Sequence, residues 1–564
     1  MNNKGIDKKM DNVLIINYHP LTQIGGVQSI LNTIIKKNKN YSILTGTQNK
    51  KNELKNRIYS TNLLYQKKPS KELDYFLNKI FVEQAPRIIY THNLSYMFNA
   101  KIAEHIFNYF KNRGCLMVEH AHHALIRRKS RVKKILSLNW DGLIVVSKYS
   151  AKKLFPLTNK KTKKIIIHNG INVKDFEKTD YSIRKKLGLM QKTVLLFPSR
   201  TIRLSTGKIG EQKQFKIVLK ALKKIKEKNK IALLIPYLEN KNNEKIFEFK
   251  KYLRKMGLEE IVYEFPTKLN QNEMHKFYST GDIVLFPSIN ESFGMIIPEA
   301  WASGKPIIGA SSGAIPQLIQ NNQNGLLFKP KNSTELSKQI IELTTNKQKY
   351  EQLSKKGKIE VKNFTDELMI KKITDFIKTL KRKKVIYLVR HGETTYNANH
   401  LYTGQANPPL TKKGEMQSSK AKKFFNKMNI TNPLIYCSPL KRAKNTAKII
   451  GLKKIVYKNE LKEIDVGEFE SKTRKEILTK FNVNFERITK YPNGESLTDV
   501  KNRLSNLIEK IKREKDNDII IVAHEVVNKT IASSLIEKNY FSLPRQKNND
   551  IIIISNKKIS CINL

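Results

Sequence analysis

Short runs of Val, Ile and Leu recur along the chain. NVLIINY (12–18), RIIYTH (87–92), CLMVEH (115–120), GLIVVS (142–147), KIIIHNG (164–170), TVLLFPS (193–199), IALLIP (231–236) and DIVLFPS (282–288) are separated by lysine-rich stretches whose apolar residues fall at helical spacing. A strand that is apolar on both faces is covered on both, so the pattern predicts parallel strands between layers of amphipathic helices. No segment repeats at a solenoid period. A helical stretch ending in DFIKTLKRKK (375–384) gives way to a fresh strand, VIYLVR (385–390), which predicts a boundary near residue 384. The strands before it fit two sheets better than one. The predicted units are therefore 1–165, 166–384 and 385–564, all of the α/β class. The length of 564 residues agrees, because single hydrophobic cores stop growing well below it.

Charge changes the picture only in part. The 106 lysines and arginines against 49 aspartates and glutamates give a formal charge of +57 at pH 7. The lysines are spread along the whole chain, and no nucleic-acid reader motif accompanies them. Anionic substrates or an anionic membrane surface are the expected partners; nucleic acid is not. The densest basic cluster, HALIRRKSRVKK (123–134), reads equally as a membrane-facing helix or a solvated one. Cys115, Cys437 and Cys561 lie far apart without metal-ligand spacing, which argues against a disulfide framework or a zinc motif. The opening MNNKGIDKKMDN is polar, without a signal-peptide pattern, and no apolar run spans a bilayer. A cytoplasmic protein, at most peripheral to the inner face of the membrane, is expected.

Candidate chemistry is densest in FPSINESFGMIIPEAWASGKPIIGASSGAIPQLI (286–319). The stretch predicts a strand ending at Pro287, a polar loop, a helix beginning near Phe293 and a stop at Gly304-Lys305-Pro306. Glu291 and Glu299 then bracket a helix N-terminus, where free N–H groups and the dipole favour a phosphate. Carboxylates on either side of a bound phosphate suit the hydroxyls of a nucleotide sugar. The segment resembles the E-x7-E donor site of group 1 retaining glycosyltransferases, glycosyltransferase family 4, which have the GT-B fold of two Rossmann-like domains. GGVQSI (25–30), DGLIVVSKYSAKKL (141–154), IIIHNGINVKDF (165–176) and GLLFKP (325–330) extend the likeness over nearly all of the first two predicted units.

That resemblance implies that Glu299 binds the nucleotide ribose, Glu291 the donor sugar, and the backbone amides around Phe293, Gly294 and Met295 the sugar and phosphate. It implies that Arg200 clamps the diphosphate with a lysine. Lys213 fits best, just before a helix, although TIRLSTGKIGEQKQF (201–215) leaves Lys208 open. Such cations stabilise a leaving diphosphate without a metal. STGK is not a phosphate loop, since Ile202 and Ile209 stand where that motif needs Gly and Ser or Thr. On the acceptor side, Gly25 and Gly26 form a turn where backbone can approach a substrate closely. His92 and His120 each end an apolar strand, at the edge where open α/β sheets bind ligands. The family often places a histidine such as His120 near the reacting sugar; His122 and His123 are alternatives.

A second constellation follows. VIYLV ends at Arg390-His391, LIYCSP (434–439) leads into a helix bearing Arg442, and IIIVA (519–523) ends at His524. Two arginines and two histidines converging beyond strand ends make a site for a tetrahedral dianion, and a deprotonated imidazole nitrogen can attack phosphorus. With LKEIDVGEFE (461–470) and YPNGESLTDV (491–500), this unit resembles the histidine phosphatase (phosphoglycerate mutase-like) superfamily from end to end. The resemblance implies that His391 becomes phosphohistidine and that Arg390, Arg442 and His524 hold the phosphoryl group. Glu463 would protonate the leaving alkoxide and then activate water. The short unit and LYTGQANPPLTKKG (401–414) are similar to the phosphatase branch rather than to mutases. Glu525 departs from the pattern, because the family has a small residue after the last histidine. Its carboxylate should repel a dianion unless it points away or meets a cation.

The whole is expected to be a bifunctional enzyme: a retaining glycosyltransferase using a nucleotide sugar, joined to a phosphatase that takes a phosphate ester, with no cofactor or metal. One alternative is a phosphatase module that acts on an unrelated sugar phosphate or works as a mutase. Another is a basic nucleic-acid- or membrane-binding protein with one silent module.

Overall fold

The structure, a computed structural model, describes residues 12–21, 26–38, 41–47, 57–124, 129–199, 214–225, 227, 230–237, 243–270, 273–481 and 489–564, with the side chains of 243–246 excepted. Three sheets follow one another along the chain. The first holds β1 (Val13–Asn17), β2 (Tyr41–Thr45), β3 (Ile58–Ser60), β4 (Ile88–His92), β5 (Leu116–Ala121), β6 (Gly142–Val145) and β7 (Lys163–Ile166), in the order β3-β2-β1-β4-β5-β6-β7. The second holds β8 (Thr193–Leu196), β9 (Ile231–Ile235), β10 (Val262–Glu264), β11 (Ile283–Phe286), β12 (Ile307–Ala310) and β13 (Leu326–Phe328), in the order β10-β9-β8-β11-β12-β13. Every strand pair in these two sheets is parallel. The eight apolar runs quoted above all form strands here, in the arrangement that burial on both faces predicts.

The third sheet runs β16-β15-β17-β14-β18-β19, from β14 (Ile386–Arg390), β15 (Leu434–Cys437), β16 (Ile455–Tyr457), β17 (Ile519–Ala523), β18 (Ile551–Ser555) and β19 (Lys558–Ile562). The strands that deliver Arg390, the Arg442 helix and His524 are central neighbours and parallel. The last two strands differ, forming an antiparallel hairpin against β14. Asn556 and Lys557, both at positive φ, make its two-residue turn.

Two features of the chain path were not anticipated. The helix Asp366–Lys378, read above as the end of the second unit, crosses back onto the first sheet. Met369, Ile373, Phe376 and Ile377 share a core with Val13, Ile15, Ile30 and Ile34. Thr365 caps this helix by accepting from the Leu368 amide at 3.2 Å, and Lys37 of the first unit pairs with Asp366 at 3.0 Å.

The second feature is the seam between the first and third sheets. Leu14, Phe81, Ile102 and Phe110 pack in one continuous core with Tyr387, Phe424, Phe425 and Ile553. A Cβ at Gly114 would lie 2.2 Å from Val385 Cγ2, so glycine permits the closest approach there. Polar groups line the rim. Asn12 Nδ2 donates to the Lys427 carbonyl at 2.8 Å, and Arg87 Nη1 donates to the Asn429 carbonyl at 2.8 Å. Asp518, buried at the start of β17, pairs with Arg382, lies 3.9 Å from Arg87 and accepts from the Val385 amide at 2.9 Å. Replacing Asp518 removes the carboxylate that pairs with the Arg382 guanidinium and the acceptor of the Val385 amide. Asp518→Ala is predicted to destabilise the chain by about 3 kcal/mol, which urea unfolding followed by intrinsic fluorescence would measure.

Candidate functional site

The third sheet builds its site from strand ends inward. His391, one residue past β14, is buried, and its Nδ1–H donates to the Gly392 carbonyl at 2.8 Å. That bond fixes the tautomer and leaves Nε2 as the unprotonated nitrogen. Arg442, in the helix Lys441–Ile450 that follows β15, donates from Nε to His391 Nε2 at 3.2 Å and from Nη2 to the Gly404 carbonyl at 2.8 Å. His524 precedes the helix Glu525–Ile536, with its ring 5.1 Å from that of His391 and its Nε2 2.8 Å from Ser438 Oγ. Burial, then the charges of Arg442 and Arg390, holds the His391 pKa well below the ordinary imidazole range. Burial, Arg442 and His391 do the same to His524. Both rings are therefore neutral near neutral pH. Burial also lowers the Arg442 guanidinium to about 10, which leaves it charged.

Glu463 lies after β16. Burial raises its carboxyl pKa, opposed by the Ile464 amide that donates to it at 3.0 Å and by Arg442 and Arg390. A carboxyl so raised can hold a proton that an ordinary surface glutamate has lost. Its loop is pinned by residues that sequence reasoning did not single out. Arg503 donates to the Glu463 carbonyl at 3.2 Å and grips Glu495 at 2.7 and 3.0 Å, and Glu495 accepts from the Asp465 amide at 2.9 Å. Glu495 lies inside the YPNGESLTDV motif, so a signal for it existed; Arg503 had none.

Glu525 meets cations rather than pointing away. Its Oε2 accepts from Arg390 Nη1 at 2.8 Å and its Oε1 from Arg545 Nε at 3.2 Å. Arg390 also donates to the Gln546 carbonyl, while its buried Nε has no hydrogen-bond partner. Arg390 is therefore divided between Glu525 and the site, which a family with a small residue at that position would not show.

The second candidate site lies between the first two sheets. The helix after β11 is Ile296–Ala302, starting three residues later than predicted. Gly294 at φ +95 turns the chain away from helical geometry, and a Cβ there would come 2.9 Å from the Phe286 ring. Glu299 thus lies in the first helical turn, buried, with Oε2 accepting from Tyr278 Oη at 2.7 Å. Glu291, in the loop, accepts from Ser288 Oγ at 2.8 Å. Ser292 ties this loop to the first unit: its Oγ accepts from the Ala124 amide at 2.7 Å, and its carbonyl accepts from Ser147 Oγ at 2.6 Å. Phe293 is buried 5.7 Å from His168 and 6.0 Å from Phe364, ring to ring. Gly26, at the start of the helix Gly26–Lys37, faces Met295, whose Cγ lies 3.5 Å from where a Cβ would stand. The structure thus sets Gly26 against Met295, in the same loop and helix start that carry Glu291, Phe293, Gly294 and Glu299. His92 and His120 lie buried at the carboxyl ends of β4 and β5. Gly25, Arg200, Lys208 and Lys213 lie outside the described residues. Tyr278 had no sequence signal; only the fold sets it opposite Glu299.

Comparisons with known proteins find likenesses in two parts of the chain. The family profile of glycosyl transferases group 1 matches residues 191–360, and that of the histidine phosphatase superfamily (branch 1) matches residues 386–558. An uncharacterized glycosyltransferase of Methanocaldococcus jannaschii is 25% identical over 204 residues, 35% of this chain and 48% of that protein. The "probable phosphoglycerate mutase GpmB" of Escherichia coli is 30% identical over 162 residues, 27% of this chain and 74% of that protein. Among solved structures, Anabaena HepE in complex with UDP-glucose superposes with a TM-score of 0.54 at 17% identity, over 66% of this chain and all of that one. The chain spans about half the length or less of the first curated relatives it matches, at 48%, 40% and 35% of theirs. The chain thus carries a histidine phosphatase domain, joined to a region of GT-B fold whose residues 191–360 match the group 1 glycosyl transferases.

Five buried histidines, His92, His120, His122, His391 and His524, have pKa values well below the ordinary range, each chiefly through burial. In the unfolded chain they take up protons as pH falls through about 6.5, while the folded chain does not. The unfolded state then binds more protons, so stability falls with falling pH, by about 1.4 kcal/mol per pH unit for each histidine until its folded pKa is reached. Denaturant midpoints should drop markedly between about pH 7.5 and about pH 5.5. Equal midpoints would contradict the buried neutral state.

Proposed function

We propose that the chain is a bifunctional enzyme in which a retaining glycosyltransferase, using a nucleotide sugar, is coupled to a phosphohistidine-type phosphatase. The observation that carries the phosphatase half is the buried 3.2 Å contact between Arg442 Nε and the lone pair of His391 Nε2. A phosphate ester entering there meets a neutral nucleophile already aligned beside a guanidinium. His391 Nε2 attacks phosphorus, the ester P–O bond breaks, and Glu463 gives its proton to the leaving alkoxide. Arg390, Arg442 and His524 hold the transferring phosphoryl oxygens. Glu463, now a carboxylate, takes a proton from water, which attacks the phosphohistidine and releases inorganic phosphate and free His391. The GpmB likeness favours a second reading, in which the phosphoryl group passes to another hydroxyl as in a mutase. Release of inorganic phosphate against formation of an isomeric ester separates the two.

The transferase half rests on Glu299 in the first turn of the helix Ile296–Ala302, with Glu291 in the loop before it. Glu299 takes the ribose, Glu291 the donor sugar, and the amides around Phe293, Gly294 and Met295 the phosphate and sugar. Arg200 with Lys213 or Lys208 stabilises the departing diphosphate, with no metal needed at that point. The likeness to a UDP-glucose-bound protein makes a UDP-sugar the first donor to test. No helix among the described residues is long and apolar enough to cross a membrane. Exposed lysines on the helix Lys129–Leu136 support an anionic membrane surface as a partner.

Two variants should dissociate the halves. Glu299→Ala is predicted to weaken nucleotide-sugar binding by about 1–3 kcal/mol, measured calorimetrically, and to leave phosphate release unchanged. Glu463→Gln should slow hydrolysis of an alkyl phosphate by about 100-fold or more, and slow an aryl phosphate with a good leaving group much less. Equal losses on both esters would remove Glu463 from the proton-donor role.

A further inference from the structure

The ends of β4 and β5 gather three imidazoles. Parallel register sets His92 beside His120, and His122 follows two residues on, toward the same face. Ring centroids lie 4.0 Å apart for His120 and His122, 5.1 Å for His92 and His122, and 5.2 Å for His92 and His120. All three are buried. Each ring offers a nitrogen, and these nitrogens lie within 4.8 Å of one another; no other group of His, Cys, Asp or Glu among the described residues is so arranged. One nitrogen of each ring is tied. Tyr90 Oη lies 2.6 Å from His120 Nδ1, and His92 Nδ1 lies 2.9 Å from His122 Nε2. Of the other three, His92 Nε2 and His120 Nε2 are buried without a hydrogen-bond partner, while the Asn169 side chain lies against His122. Buried polar atoms are rarely left so, and two unpartnered ring nitrogens beside a third imidazole mark the cluster as a candidate ligand site.

We propose that His92, His120 and His122 bind a divalent transition-metal ion of the zinc class, on the acceptor side of the cleft. The donor set selects this class. Three imidazoles with no carboxylate suit zinc, cobalt, nickel or copper and not calcium or magnesium, which take oxygen ligands. Three histidines plus one open position is an arrangement that zinc adopts when a water or substrate completes its shell.

With His120 ligating through Nε2, Nδ1 carries the proton and donates it to Tyr90 Oη, which fixes that ring as an outer partner. Ligation has a cost elsewhere. If His92 Nε2 and His122 Nδ1 both ligate, both facing nitrogens carry protons, so their 2.9 Å bond must open as the rings turn. Turning is needed in any case, because tetrahedral zinc at about 2.0–2.1 Å draws its ligands to about 3.3 Å from one another. The ion would not serve the diphosphate. It would hold the 120–124 segment, which the Ala124–Ser292 hydrogen bond joins to the donor loop.

The test uses the full chain, stripped with chelator and titrated with Co2+ as a visible probe. One equivalent should produce the absorption of four-coordinate cobalt, and Zn2+ should abolish it. His122→Gln should weaken Co2+ binding by more than about 100-fold, and Tyr90→Phe, which keeps all three ligands, by about 10-fold or more. Far-UV circular dichroism confirms that each protein is folded. A folded wild-type chain with no cobalt band overturns the site. So does a band of unchanged affinity in both variants.

Discussion

The seam between the first and third sheets is the constraint on which the arrangement of the molecule depends. Phe81 and Phe110 pack with Phe424 and Tyr387 in one uninterrupted core, so the phosphatase unit has no separate apolar face there. The buried Asp518 carboxylate lies where this core meets polar backbone, between Arg382 and Arg87. A charge pair adds little over a well-packed apolar substitute, yet removing one partner is strongly unfavourable. The crossing helix Asp366–Lys378 ties the second unit to the first, because its apolar face belongs to the core of the first sheet. The fusion is therefore a packed assembly rather than enzymes on a flexible string.

Within that frame, both sites follow from one property of parallel sheets: their strands all present carboxyl ends to the same edge, where helices begin. Burial is what makes these edges reactive. Imidazoles placed there become neutral because the interior disfavours their charged form, and the Glu463 carboxyl becomes harder to ionise for the same reason. Arg442 remains charged because even its lowered pKa lies far above neutrality. The proposed mechanism therefore draws its nucleophile, proton donor and cation from His391, Glu463 and Arg442, groups whose protonation states burial shifts differently. Glu525 modifies this balance by taking up part of the charge of Arg390.

Apolar runs such as RIIYTH and IIIVA were legible as strands because nothing but a doubly covered sheet buries such residues. Residues supplied by strand ends, His391, His524 and the pair His92 and His120, were legible with them. Features set by long-range packing were not. The helix after β11 starts at Ile296 because Gly294 takes a positive φ under the Phe286 ring, a contact no local pattern announces. Tyr278 reaches Glu299, and Arg503 reaches the Glu463 loop, from helices distant in sequence. The return of the helix Asp366–Lys378 looked like a linker because its amphipathic pattern does not say which sheet it covers. His122 was noted only as an alternative to His120, since nothing in sequence shows that its ring would close a cluster.

If the chain has both proposed activities, thermodynamics offers a reason for joining them. Transfer of a sugar from a nucleotide is often modestly downhill, whereas hydrolysis of a phosphate ester in water is effectively one-way. If the acceptor carries a phosphate, the first site makes a phosphorylated glycoside and the second strips it, and holding both on one chain raises the chance of capture. The direct test is to incubate the His391→Ala chain with a nucleotide sugar and candidate phosphorylated acceptors, and to follow products by mass spectrometry beside the wild type. Sequential action predicts that the variant accumulates a phosphorylated glycoside which the wild type converts to the dephosphorylated form. Transfer to unphosphorylated acceptors alone, with identical products from both proteins, would contradict it.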